Sequence, residues 1–78
     1  MELIDSLLRA YEISPERIPV STWEINRIDL EGKIQINDGD LQRGIRMKII
    51  GAVGYFRQGE FFEAAHSFER ATKATRNV

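Results

Sequence analysis

The chain holds no cysteine, one histidine and two prolines, and each scarcity removes a class of explanation. Without cysteine there is neither a disulfide nor a thiolate metal site, and one histidine cannot complete a zinc finger. A domain of 78 residues that lacks these staples buries only about 60% of the surface its unfolded form exposes. Association, with a partner or with a second copy of the chain, is the remaining common device. No apolar run approaches the ~18 residues of a membrane span, and Met1-Glu2-Leu3-Ile4-Asp5 is acidic where a secretory signal is basic. A reduced, cytoplasmic setting without membrane contact is therefore expected.

Signatures of catalysis are equally scarce. No glycine-rich phosphate loop, nucleotide fingerprint or paired catalytic carboxylates can be read, and Gly51-Ala52-Val53-Gly54 falls inside a predicted helix whose amides are already bonded. Glu63-Ala64-Ala65-His66 fits the Glu-x-x-His spacing of di-iron bundles, which needs two copies and further carboxylates. A symmetric dimer would supply both copies, but the facing segment from Leu41 to Arg57 holds no Asp or Glu. A lone histidine without a nucleophile partner gives no hydrolytic arrangement. The expectation is a protein that is not an enzyme, with no cofactor or metal; a dimeric metal-binding bundle is the minor alternative.

What is present is an uneven charge. The formal net charge is −1, yet residues 1 to 40 carry nine acids against four bases, whereas residues 41 to 78 carry three acids against seven bases. Either the two halves fold onto one another or the basic half faces an acidic or nucleic-acid partner. The sequence pI near 5.8 argues against a dedicated nucleic-acid binder.

Composition is that of a single domain spanning residues 1–78, and the fold class predicted is mainly α. Ile4, Leu7, Leu8 and Tyr11 at helical spacing predict a short amphipathic N-terminal helix. Ser14-Pro15-Glu16 starts a turn that Pro19 confines to a connector. Residues 21 to 37 admit two readings. Ser21-Thr22-Trp23-Glu24 is a capping box, and a helix from it would run to about Glu31 with Gly32 as its cap. Ile28 and Leu30, then Ile34 and Ile36, alternate with polar residues around Glu31-Gly32, which favours a short central β-hairpin.

Asn37-Asp38-Gly39-Asp40 is a turn cluster that separates residues 1–39 from a helical hairpin at 40–75. Leu41, Ile45, Ile49, Ala52 and Phe56 form one stripe; Phe61, Ala64, Phe68 and Ala71 form another beyond Gly59. Two stripes joined by so short a connection run antiparallel and bury against each other. Gly44, Gly51 and Gly54 inside the first helix point to a close backbone neighbour.

The stretch from Tyr55 to Ala71 resembles a single tetratricopeptide repeat, the likeness covering residues of about 45–74. Tyr55, Gly59, Ala64, Phe68 and Ala71 match signature positions; Lys48, Gly51-Ala52 and Arg76 depart from them. The resemblance implies a non-catalytic module that binds a protein or peptide. A single copy, which cannot bury both faces alone, implies a cap or a dimer.

The candidate partner-binding residues are Arg43, Arg46, Met47, Ile50 and Arg57 on the first hairpin helix, a basic patch with an apolar centre, and Phe62 and His66 on the second. Such a mixed surface suits an acidic or amphipathic protein partner. The expected function is a small protein-interaction module, an adaptor, regulator or inhibitor; the alternative is a nucleic-acid-associated regulator whose helix from Leu41 to Arg57 contacts phosphates.

Overall fold

The computed structural model describes residues 2–76, and within them the chain forms four α-helices joined by short connections. They are α1 (Glu2–Ala10), α2 (Thr22–Asn37), α3 (Leu41–Arg57) and α4 (Phe61–Arg76), with a 3-10 turn at Pro15–Arg17 between the first two. The N-terminal helix, the connector and the hairpin of α3 and α4 follow the sequence pattern. No helix of the described residues is long and apolar enough to cross a membrane.

The expected central β-hairpin is absent: residues 22–37 form one unbroken helix, and the described residues contain no strand. The capping box decides the start, since Ser21 Oγ accepts from the Glu24 amide at 3.4 Å. Gly32 neither turns the chain nor caps the helix. It lies buried in mid-helix because α3 crosses there: a Cβ on Gly32 would stand 3.1 Å from the Gly44 carbonyl oxygen and 3.1 Å from the Lys48 amide nitrogen. The apparent alternation arises because α2 turns Ile25, Ile28 and Ile36 toward α3 and leaves Trp23, Leu30 and Ile34 exposed.

Helix α3 is the centre of the molecule, antiparallel to α2 on one side and to α4 on another. Its glycines set the first contact. A Cβ on Gly44 would lie 2.6 Å from Ile36 Cγ1 and 2.8 Å from the Ile36 amide nitrogen, closer than real side chains pack. Against α4, Ile49 and Ala71 are buried and Phe68 is half-buried over the same cluster, so the two facing stripes share an interior except at Phe61, which is 61% exposed and meets only the edge of Phe56. Leu8 of α1, Ile13 and Ile18 close the remaining side of that cluster.

Helices α1, α2 and α3 end in the same geometry. Ile13, Asp40 and Glu60 amides reach back to the carbonyls of Leu8, Gln35 and Tyr55, in each case just after a residue of positive φ. This is the Schellman motif. Gly39 and Gly59 take the left-handed position in two cases, but in the first Glu12 takes it at φ 56°.

A polar tie joins three helices inside this frame. Asp29 of α2 accepts from Lys48 Nζ of α3 at 3.1 Å and from Ser67 Oγ of α4 at 2.6 Å. Gly51 makes room for it, since a Cβ there would stand 3.1 Å from Asp29 Cβ. Lys48 and Ser67 are buried, so the arrangement obeys the rule that a charge leaves water only when paired.

Candidate functional site

The basic patch of α3 folds into a cleft. Arg43 and Arg46, one turn apart, line a depression of about 430 Å³ together with Met47, Ile50 and, from the 3-10 turn, Arg17. Three guanidinium groups thus surround it against one carboxylate, Asp40. Arg46 is held in place, because its Nη2 donates to the Glu12 carbonyl oxygen at 3.1 Å. The left-handed turn at Glu12 and the orientation of Arg46 are therefore linked.

The apolar part of the cleft is more deeply seated than the helical wheel predicts. Ile50 is only 7% exposed and belongs to the core cluster, and Met47 is half-buried. The segment from Ile13 to Ile18 covers that side of α3, so Met47 and Ile50 form a floor and the arginines form the rim.

The other candidates lie elsewhere. Arg57 is exposed at the C-terminal end of α3, away from this cleft. Phe62, 83% exposed, and His66 border a smaller depression of about 200 Å³ where α4 meets α2 and α3, with Asp29, Tyr55, Glu63 and Ser67. Tyr55 Oη donates to Asn26 Oδ1 at 2.5 Å. Burial, followed by the nearby charges of Asp29, Glu63 and Glu60, raises the Tyr55 pKa above its ordinary value and keeps the phenol neutral. Glu63 and His66 do share one rim, yet among the described residues no three His, Asp or Glu side chains are placed to hold a metal ion.

Sequence reasoning missed Arg17 and the Asp29–Lys48–Ser67 tie. Arg17 carries no local signal, because only the fold brings the connector beside α3. Lys48 did carry one: it sits three residues after Ile45 and one before Ile49, inside an apolar stripe where a lysine needs a buried partner. No family model matches the chain, and neither a curated protein nor a solved structure is detectably similar to it.

Proposed function

We propose that the protein is a small, non-catalytic interaction module that docks an acidic protein segment in the cleft between the 3-10 turn and α3. The observation that carries this reading is the convergence of Arg17, Arg43 and Arg46 around Met47 and Ile50. Guanidinium groups present planar forks that match carboxylates. The apolar floor gives such a segment one or two side chains to bury at the centre, the usual form of an interface hot spot. The resemblance of α3 and α4 to a tetratricopeptide hairpin supports binding over catalysis.

The test uses a fluorescent amphipathic peptide rich in Glu and Leu, compared with one in which Lys replaces Glu. The acidic peptide binds the native protein, and Arg43→Glu with Arg46→Glu lowers that affinity at least tenfold, about 1.4 kcal/mol or more. Arg43 is exposed and Arg46 half-exposed, so the variant retains its helical circular dichroism. Full affinity in a folded variant, or equal binding of both peptides, refutes the reading. A duplex oligonucleotide bound in preference, with affinity falling by orders of magnitude as salt rises, would point instead to phosphate contacts along α3.

A further inference from the structure

The second concentration of positive charge lies across the molecule, between α2 and α4. Lys33 and Asn37 of α2, Lys48 of α3, and Arg70 and Lys73 of α4 line a depression of about 140 Å³. Four of the chain's eleven Lys and Arg residues meet in it, although the net charge is −1. Two carboxylates answer two of these cations: Asp29 pairs with Lys48 and Glu69 with Lys73, each at 3.1 Å. Lys33 and Arg70 have no carboxylate within salt-bridge distance among the described residues. The depression thus keeps an excess of two positive charges, and gathering like charges costs energy that a solvated surface would avoid by spacing them apart.

The geometry points to a binding site for the phosphate group of a small soluble ligand. Phosphate fits on three counts. A dianion matches the two unanswered cations, whereas a carboxylate neutralises only one. Its several acceptor oxygens can engage a planar guanidinium and point-like ammonium groups at once. The amide of Asn37 adds a neutral donor at the wall. The floor is preorganised, because Asp29 fixes Lys48 and is itself fixed by Ser67, so ordering this cation costs little on binding. Lys48 also retains donors, since an ammonium has three and Asp29 takes one.

Size limits the ligand. Three helices bound the depression, which holds one phosphate group with its waters and does not track an extended strand. Further along α3 and α4, Tyr55 and Phe62 border the depression of about 200 Å³, which Asp29 also lines. A phosphate ester with an aromatic ring could lay its ring there; a free phosphate would leave it empty.

The experiment is a titration of the uniformly 15N-labelled protein, at constant ionic strength adjusted with chloride, with inorganic phosphate and separately with adenosine monophosphate. Saturable amide shifts at Lys33, Asn37, Arg70 and Lys73 are expected with both probes, and added shifts at Tyr55 and Phe62 identify an aromatic ester as the preferred source. Lys33→Glu with Arg70→Glu, both exposed positions, weakens the response at least tenfold, about 1.4 kcal/mol. Arg43→Glu with Arg46→Glu leaves it unchanged. Shifts that never saturate, that appear equally with chloride, or that survive Lys33→Glu with Arg70→Glu overturn the proposal. So does a single-stranded oligonucleotide that binds through these residues far more tightly than either probe.

Discussion

At the scale of single residues, two positions separate packing from backbone strain. Alanine at Gly44 gains up to about 1 kcal/mol of helix propensity but must place a methyl 2.6 Å from Ile36 Cγ1 and 2.9 Å from the Gly32 carbonyl oxygen. Backbone atoms yield poorly, so Gly44→Ala should cost a net ~2 kcal/mol, read as a lowered urea midpoint. Glu12 presents the reverse case. It holds φ 56° with an L side chain, a strain of about 1–2 kcal/mol that glycine does not bear. Because Arg46 bonds the backbone carbonyl and not the Glu12 side chain, Glu12→Gly should keep that contact and stabilise the protein by ~0.5–1 kcal/mol. Tyr55 supplies a pH dependence. Its raised folded pKa means that the unfolded phenol ionises first as pH climbs past about 10. Its contribution is therefore complete below that pH and lost as pH rises through the folded value. The stability advantage of the native protein over Tyr55→Phe, ~0.5–1 kcal/mol near neutrality from the bond to Asn26, should hold up to pH ~9 and shrink only as pH rises past ~10 in parallel urea titrations.

At the scale of elements, α2 decides how much of the fold the sequence discloses. Helices α1, α3 and α4 are legible because their buried faces carry Leu, Ile, Phe or Ala at helical spacing. The buried face of α2 carries Asp29 and Gly32 beside its isoleucines, while Trp23 at 67% and Leu30 at 57% are exposed. Hydrophobic periodicity fails there because the complementary feature, the glycine-lined face of α3, lies on a different element. The glycines themselves disclosed that a neighbour was close, but not which. The candidate site divides in the same way: Arg43 and Arg46 are legible from their i, i+3 spacing, while Arg17, Lys33 and Arg70 join their clusters only through tertiary placement. Substitution pairs test α2 directly. In a strand Ile28 and Leu30 would share a face, but here Ile28 packs on the core and Leu30 does not. Ile28→Lys should cost ~2 kcal/mol or more and Leu30→Lys no more than ~0.5 kcal/mol, measured by thermal or urea unfolding.

At the scale of the whole molecule, α3 stands between α2 and α4 and so leaves two concave faces. Its glycine side receives α2, its apolar side receives α4, and what remains of its surface forms the floor of the arginine cleft and, at Lys48, the floor of the opposite depression. The uneven charge of the sequence is partly absorbed in this way, through Asp29 on Lys48. Of the other cations, Arg17, Arg43 and Arg46 gather in one concavity and Lys33, Arg70 and Lys73 in another. The depression between α2 and α4 therefore depends on α2 being a helix closely crossed by α3, whereas the arginine cleft is built on α3 and the 3-10 turn. Nuclear Overhauser and Cα chemical-shift measurements test that dependence most directly. The account predicts helical shifts throughout residues 22–37 and cross-peaks from the Gly44 α-protons to Ile36 and from the Gly51 α-protons to Asp29. Extended shifts over residues 28–36 with cross-strand peaks between Ile28 and Ile34 would contradict it.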